Sequence, residues 1–301
     1  MRQLPRPRGP FTAPAALAVA AAALLAGCGT LPAGNSAAGS TPSSTPTGPD
    51  CKPLTPADTA KVKLTLTGPA CTEYELTNGG PEAADLTLTF TRLTAAGTAV
   101  ESLPHTVTAL APGATDRGRL SLGERNKATH VKVLKVRSVP TSEAPQPGGD
   151  CPKSGLRLYA DQGDAAMGLR VVGLILHNCG TAPVALDGYP RIQLLDQEHQ
   201  PVDGIRLLSG GDEIATGTGA NLPRKRFSLR PGERAYSTLV WRNTTQDGTP
   251  VHAPYARVRA LPNSAPVMVT PEFDLGTTGR LGIGAWQPET PGGPDNPERR
   301  P

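Results

Sequence analysis

Aromatic residues are scarce in this sequence: phenylalanine, tryptophan and tyrosine together make up 4% of its 301 residues. No segment long enough to form a helix has apolar residues at a repeat of 3.6, so a helical fold is not indicated. Glycine and proline, by contrast, contribute 34 and 33 residues, well above ordinary usage. This composition is typical of β-domains with many turns, joined by unstructured linkers.

Outside the N-terminal segment, neither positive nor negative charge is in marked excess. The formal net charge of +4 includes Arg2, Arg6 and Arg8, which lie in a segment that we expect to be removed. Without them, 27 basic residues stand against 26 acidic ones. A near-neutral surface lacks the electrostatic footprint of a nucleic-acid-binding protein, so we expect no nucleic acid among the partners.

Long apolar runs are confined to one place. The run from Phe11 to Ala26 has about 16 residues, short of the ~20 that a membrane-spanning helix requires. It follows a basic stretch, residues 1–10, and leads into Leu25-Ala26-Gly27-Cys28. This order of segments is that of a secretory signal peptide.

The four residues Leu25, Ala26, Gly27 and Cys28 resemble the lipobox, the processing site of bacterial lipoproteins. The resemblance implies removal of residues 1–27 and a diacylglyceryl group on Cys28. Two acyl chains hold a protein stably on a membrane, whereas one does not. We therefore expect the chain to be anchored to the membrane through this lipid, at the outer face of the cell membrane. An uncleaved anchor or an ordinary secretory signal is the alternative.

Cysteine is rare, and its distribution predicts disulfides. With Cys28 assigned to lipid, Cys51, Cys71, Cys151 and Cys179 remain. An even number in an exported protein favours pairing, and three pairings are possible. We favour Cys51–Cys71 and Cys151–Cys179, because each bond then falls inside one predicted domain. Each would stabilise its domain by roughly 3 kcal/mol.

Patterns that carry catalysis or bind metals are missing as well. None of the five histidines lies at metal-ligand spacing from another histidine or from a cysteine. Serine-hydrolase and phosphate-binding glycine motifs are absent. His177-Asn178-Cys179 contains the residue types of a cysteine hydrolase, but neighbours on a strand point to opposite faces and a paired cysteine offers no thiolate. We expect no catalytic residue, no metal and no cofactor.

The order of segments predicts two domains on a tether. Residues 28–50 are rich in serine, threonine, proline and glycine, which is typical of a disordered spacer. Beyond them apolar and polar residues alternate, for example around Val62, Leu64 and Leu66, and this predicts half-buried antiparallel strands. The predicted segments are a signal peptide (1–27), the tether (28–50), a β-sandwich (51–139), a linker (140–150), a second β-sandwich (151–287) and a disordered tail (288–301).

One pattern recurs in both predicted sandwiches. The strand-and-turn sequence around Asn78 is matched around Asn178, and the Leu-x-Pro-Gly turn at 110–113 is matched at 229–232. Such strands, separated by these turns, fit an immunoglobulin-like sandwich. We therefore expect an all-β chain with two tandem immunoglobulin-like β-sandwiches, which duplication would explain.

The second predicted sandwich, residues 151–287, resembles a domain of unknown function that is common in actinobacterial secreted proteins and lipoproteins. The motifs that carry the resemblance are Cys151-Pro152, Ser154-Gly155-Leu156, Asp164 to Gly168, Asn178 to Pro183, Gly188-Tyr189-Pro190, Gln193 to Asp196 and Leu229 to Gly232. The resemblance implies a β-sandwich with one disulfide and no known enzymatic role. It carries over no functional residues.

Two features are candidates for a contact surface. The connection 197–226 contains a glycine-, threonine- and aspartate-rich stretch, residues 209–221, and loops of this length are often functional. Tyr189 or Trp241 would join it if exposed, although a core position is favoured for Trp241. Arg224-Lys225-Arg226 would suit an anionic wall polymer or lipid headgroups, against the simpler interpretation of a solvated loop.

Three functions follow from these observations. A lipid-anchored envelope protein that presents non-catalytic β-sandwiches to an envelope protein or a wall polymer is favoured. A solute-binding lipoprotein is the alternative, and it requires a deep cleft. An envelope hydrolase is the third, and it requires titratable residues with shifted pKa values in one pocket.

Overall fold

A computed structural model of the chain describes residues 62–67, 72–94, 96–120 and 130–289. Across these ranges the chain is almost entirely β, with strands in several sheets, one 3-10 turn at Thr141–Glu143 and no α-helix. No helix in this part of the chain has the length and hydropathy of a membrane span. The predicted signal peptide, the lipobox Leu25–Cys28, the tether, Cys51, Cys71 and the tail beyond residue 289 lie outside the described residues.

The strands fall into a first region, residues 62–140, and a second region, residues 156–289. In the first region they are β1 (Val62–Thr67), β2 (Glu73–Asn78), β3 (Ala84–Leu93), β4 (Ala99–Leu110), β5 (Thr115–Arg119) and β6 (His130–Pro140). In the second region they are β7 (Leu156–Ala160), β8 (Asp164–Ala166), β9 (Leu169–Asn178), β10 (Val184–Asp187), β11 (Arg191–Leu195), β12 (Arg206–Ser209), β13 (Arg226–Leu229), β14 (Arg234–Arg242), β15 (Val251–Ala253), β16 (Tyr255–Arg259), β17 (Val267–Val269), β18 (Phe273–Gly276), β19 (Arg280–Ile283) and β20 (Gln287–Pro288).

The first region consists of two three-stranded antiparallel sheets, with the orders β1-β2-β5 and β4-β3-β6. Tyr74 and Leu76 of β2 share one apolar core with Leu86, Leu88 and Phe90 of β3. The alternation along β3 places its three apolar side chains on one face, as a period of two requires. Each fully buried leucine contributes about 1.5–3 kcal/mol to stability.

The second region is built on a seven-stranded sheet with the order β12-β19-β14-β9-β7, in which β8 also pairs with β9 and β20 with β14. β9 and β14 pair antiparallel over nine residues, from Leu169↔Arg242 to His177↔Arg234. Three smaller sheets, β11-β16-β17, β10-β13 and β15-β18, complete the region. Its largest fully buried side chains are Trp241, Trp286, Tyr255 and Phe273.

A buried asparagine, Asn78, closes the turn that follows β2. Its Nδ2 donates to the carbonyls of Glu82 and Leu110 at 2.9 and 2.7 Å, and its Oδ1 accepts from the N–H of Gly80 at 2.9 Å. The Asn78 carbonyl accepts from the N–H of Gly113 at 2.7 Å. One side chain therefore joins a local turn to the Leu-x-Pro-Gly turn about thirty residues further along the chain.

A second buried asparagine, Asn178, makes the equivalent set of bonds after β9. Its Nδ2 donates to the carbonyls of Ala182 and Leu229, both at 2.9 Å, and its Oδ1 accepts from the N–H of Gly180 at 3.1 Å. The Asn178 carbonyl accepts from the N–H of Gly232 at 2.7 Å. The two regions thus share one hydrogen-bonded corner, built from matching positions of the recurring sequence pattern.

We expect Asn178→Ala to lower the free energy of unfolding by about 1–3 kcal/mol for each buried carbonyl that loses its donor. Asn78→Ala should have a similar effect, because Asn78 makes the same bonds. Chemical denaturation measures both values, with the exposed Asn263→Ala as a control that should change stability by less than about 0.5 kcal/mol. An Asn178→Ala chain as stable as the control would contradict a structural role for the corner.

The end of β6 is anchored to the second region through its backbone. The N–H of Ser138 donates to the Tyr255 hydroxyl at 3.0 Å, and Nε2 of His199 donates to the Ser138 carbonyl at 2.8 Å. Val139 is buried in one apolar cluster with Tyr255 and Met268. All the described residues belong to one compact unit, Pro46–Pro301.

The segment predicted as a linker, residues 140–150, makes contacts near both of its ends. The carboxylate of Glu143 accepts from Nε of Arg257 at 2.8 Å. Nη2 of Arg157 donates to the carbonyl of Gly149 at 2.7 Å. Side chains of the second region therefore hold the segment that connects the two regions.

Candidate functional site

The disulfide predicted between Cys151 and Cys179 is confirmed, with the two Cα atoms 5.7 Å apart. Cys179 therefore has no free thiol, and the neighbouring Asn178 serves the buried corner. The predicted partners Cys51 and Cys71, and the lipid-bearing Cys28, lie outside the described residues. Their assignments stay predictions.

The loop that was the sequence-based candidate for a ligand surface is held by internal hydrogen bonds and one buried alanine. Asn221 accepts from the N–H of Gly211 at 3.1 Å and donates to the Asp212 carboxylate at 2.5 Å. Ala220 is buried. Trp241, which would have joined this surface only if exposed, has 1% of its surface exposed, so the favoured core position is confirmed.

The basic run at 224–226 is partly neutralised by one carboxylate. Nε of Arg224 donates to Oδ1 of Asp187 at 2.6 Å, and Nη2 of Arg226 donates to Oδ2 at 3.0 Å. These hydrogen bonds lower the pKa of Asp187 to about 2. Since all three side chains lie at the surface, the arrangement favours the simpler interpretation, a solvated face crossed by ion pairs.

A cleft with four charged side chains in its lining lies between the β8–β9 hairpin and β18, and has a volume of about 280 Å³. Asp274 of β18 forms part of its wall. Its Oδ1 accepts from Nε1 of Trp241 at 2.7 Å, and its Oδ2 accepts from Arg170 at 3.3 Å and from Asn243 at 3.1 Å. The indole of Trp241 therefore packs in the core, and its N–H is hydrogen-bonded to the carboxylate of Asp274.

A second carboxylate of the same cleft, Glu272, is held by cations of the first region. Nε and Nη2 of Arg137 each donate to it at 2.6 Å, and Nζ of Lys135 donates at 3.2 Å. Nε2 of His252 lies 3.5 Å from Oε2 of Glu272. Burial acts to raise the pKa of Glu272, but the ion pairs with Arg137 and Lys135 outweigh it, so the pKa is lowered. Glu272 has a φ of +61°, an uncommon conformation that the surrounding contacts maintain.

The hairpin that overhangs this cleft ends in a fully exposed apolar side chain. Met167 and Gly168 form its two-residue turn, with φ values of +48° and +80°. The side chain of Met167 is 100% exposed, and Asp164 and Ala165 beside it are exposed as well. Methionine is common at surfaces that adapt to partners, because its side chain is flexible and polarisable.

Each resolved pKa shift among the described residues moves the pKa of the group further from pH 7. Burial lowers the pKa of His177, assisted by the charge of Arg234. Burial also raises the pKa of Tyr255. A general acid or base needs a pKa near the working pH. The shifts have the directions that burial and ion pairing produce.

No pattern in the sequence predicted this cleft. Glu272 pairs with residues more than 130 positions earlier, and the bond from Trp241 to Asp274 spans 33 positions. An isolated acidic residue has no local signature that reveals such partners. Among the described residues there is also no group of three or more His, Cys, Asp or Glu placed to hold a metal ion.

Comparison with protein-family models identifies the second region. The model of a domain of unknown function, DUF4232, matches residues 151–287. These residues are similar to that family of domains. The match spans just under half of the chain and includes the disulfide, the Asn178 corner and the cleft beside Asp274.

Other comparisons extend less far. No curated protein matches the chain. Among solved structures the chain is similar to a red sea bream transglutaminase, with a TM-score of 0.16 and 10% sequence identity. The similarity covers 75% of this chain and 31% of that one, so the chain spans about a third of the length of the enzyme.

Proposed function

We propose that the chain is a lipid-anchored, non-catalytic protein of the outer face of the cell membrane, in which two tandem β-sandwiches act as contact modules. The observation that carries the proposal is the Cys151–Cys179 disulfide. Disulfides persist in oxidising compartments outside the cytoplasm and are rare within it. Together with the lipobox-like residues 25–28, the bond supports export followed by anchoring.

The proposal includes an immunoglobulin-like fold for both modules and a common origin by duplication. Support comes from the corners at Asn78 and Asn178, in which the same side-chain atoms bond to backbone groups at matching positions. Buried polar groups that satisfy several backbone partners specify one arrangement of the chain. Two independent sandwiches would have little reason to share this set of bonds.

A contact role rather than catalysis is supported by the charges of the cleft in the second region. Its carboxylates at 272 and 274 are both engaged by arginine. Its described lining contains no serine, threonine, cysteine, lysine or histidine, so Asp164, Glu272 and Asp274 are its only candidates for a nucleophile or base. The exposed Met167 beside it would bury apolar surface against a partner, for which an envelope protein or a wall polymer is our proposal.

The lipid is tested by mass spectrometry of the mature N-terminus in cells that express the chain. We expect the first residue to be Cys28 with a diacylglyceryl group, and Cys28→Ser to abolish both processing and incorporation of a labelled fatty acid. Cys51→Ser is the matched control, and should retain the label. Label on the Cys28→Ser chain, or a mature N-terminus at another residue, would refute anchoring at this position.

A further inference from the structure

The central strand β9 of the seven-stranded sheet has apolar side chains on both of its faces. Val172, Leu174 and Leu176 lie in the core of the second region. Val171 and Ile175 point to the opposite, outer face of the sheet and are only half-buried. A nearly continuous apolar run is typical of a strand that is buried on both faces, yet the fold covers the outer face of β9 only in part. The outer face therefore retains apolar surface that a partner could bury.

Two tyrosines flank Ile175 in one row across three strands of this face. Tyr159 of β7 is the register partner of Ile175 on one side, and Tyr236 of β14 is its partner on the other. Register partners point to the same face of a sheet, so the three side chains are neighbours on the outer face. Both tyrosines are half-buried. Because β9 lies between their strands, their backbones are two interstrand spacings apart, about 9.6 Å.

Polar side chains lie beside this row on both sides. Two residues along the strands, His177 stands between its register partners Arg157 and Arg234. Burial, assisted by the charges of these arginines, lowers the pKa of His177, so its imidazole is neutral at neutral pH. On the other side of the row, Oδ1 of Asp161 accepts from the N–H of Gly173 at 2.8 Å, and the carboxylate lies over the space that a side chain at this glycine would fill. Hydrogen-bond donors therefore border the row on one side and an acceptor on the other.

The loop 209–221 limits the width of this face. Nε of Arg242 donates to the carbonyl of Ile214 at 3.2 Å, and Gly219 lies against the hydroxyl of Thr238. The loop thus covers the outer face of β14 beyond Tyr236, where Thr238 and Val240 are buried. A stable protein interface needs about 20–30 residues a side, many more than the tyrosine row and its neighbours provide. A narrow, extended partner fits this strip better than a second globular surface.

We propose that the row Tyr159–Ile175–Tyr236 binds an extended β-1,4-linked polysaccharide whose sugar rings lie flat on the two tyrosines. In such a chain alternate rings present the same face, and they repeat over a distance close to the separation of the tyrosines. The C–H faces of the rings pack on the aromatic side chains, while sugar hydroxyls bond to polar side chains such as Arg234 and Asp161. The inference rests on the contact role proposed above and assigns it a wall polymer of stated chemistry.

The test is calorimetric titration of the full chain with three hexasaccharides. Chitohexaose and cellohexaose are extended and β-1,4-linked, with and without N-acetyl groups. Maltohexaose has the same number of rings, but its α-linkages make it curved. We expect one site per chain, and an affinity for at least one of the β-linked hexasaccharides about tenfold or more above that for maltohexaose.

Variants of the row separate stacking from other effects. Tyr159→Ala should lower the affinity for the β-linked hexasaccharide about tenfold, because one aromatic platform is lost. Tyr159→Phe keeps the ring and should retain most of the affinity. Leu207→Ala is the matched control, since Leu207 is an exposed apolar residue on the edge strand β12 of the same sheet, and it should leave the affinity unchanged.

Three results would overturn the proposal: no binding of either β-linked hexasaccharide, equal affinities for all three sugars, or a folded Tyr159→Ala chain with undiminished affinity. Self-association of the chain that Tyr159→Ala abolishes would assign the row to a second copy and overturn it as well. Circular dichroism establishes that each variant is folded. If Tyr159→Ala does not fold, Tyr236→Ala and the preference for β-linked sugars decide the question. The titration involves no membrane, so a negative result refutes the sugar site and leaves the lipid on Cys28 to its own test.

Discussion

Replacing Glu272 by glutamine is expected to lower the free energy of unfolding by about 3–5 kcal/mol. Arg137, its principal partner, has a side chain that is only 9% exposed, while the Glu272 side chain is 26% exposed. Without the carboxylate, the guanidinium remains charged and buried with no counter-ion. The loss of stability therefore comes mainly from this uncompensated charge.

The same substitution at an exposed ion pair provides the control. Glu75 accepts from Nε of Arg117 at 3.0 Å, but both side chains are largely in solvent. Glu75→Gln should cost less than about 1 kcal/mol, because water screens an exposed pair. Urea denaturation of both variants measures the difference. A Glu272→Gln chain as stable as Glu75→Gln would show that the ion pair does not hold the two regions together.

The contribution of Glu272 should also depend on pH in a definite direction. Its pKa is lower in the folded chain than its usual value of 4.5, so the unfolded chain binds the proton more tightly. The contribution is fully present above the usual pKa and is lost as the pH falls through the folded-state value. The stability difference between the unmodified chain and Glu272→Gln should therefore be constant near neutrality and shrink in acid.

Replacing both Cys151 and Cys179 by serine is expected to lower the free energy of unfolding by about 3.5 kcal/mol. The bond closes a loop with a sequence separation of 28, and its loss frees that loop in the unfolded chain. In the folded chain the ends stay close, because the N–H of Gly180 donates to the carbonyl of Gly155 at 2.9 Å. The effect should therefore arise mainly from the unfolded state.

Measuring the free energy of unfolding with and without reductant provides an internal comparison for this prediction. The unmodified chain should lose stability when it is reduced, and the double variant should lose less. Any loss that remains in the double variant measures the predicted Cys51–Cys71 bond separately. A double variant within about 1 kcal/mol of the oxidised unmodified chain would contradict the loop-closure argument, since that argument scales with the length of the loop.

The extent to which the fold was predictable depends on how local its signals are. β3 is predictable from the sequence because Leu86, Leu88 and Phe90 alternate with threonines and lie on one buried face. Val131 and Val133 give the start of β6 the same pattern, whereas residues 136–140 are buried on both faces. β4 was not predicted, although it pairs with β3 along most of its length. Both of its faces are exposed or only half-buried, so its sequence has no strong alternation of apolar and polar residues.

Side chains whose role depends on long-range contacts were not predictable in the same way. The core position of Trp241 was expected from its size, but the carboxylate of Asp274 that receives its N–H was not. Arg92 is an ordinary basic residue in the sequence, and only the position of β3 between β4 and β6 explains why it is buried. Burial and pairing are properties of neighbours in space, which a single sequence does not specify.

The sequence by itself predicted the period-two strands and the turns that recur at Asn78 and Asn178, and it favoured the pairing of Cys151 with Cys179 among three possibilities. It is also the sole basis for the expected lipid on Cys28. The tertiary structure decided how the strands are ordered in their sheets, how Arg137 meets Glu272 across 135 positions and which polar groups lie in cavities. The physical reason is the distance along the chain over which each effect acts. Alternation and turn formation depend on residues close in sequence, whereas ion pairs and cavities depend on which strands the whole fold brings together.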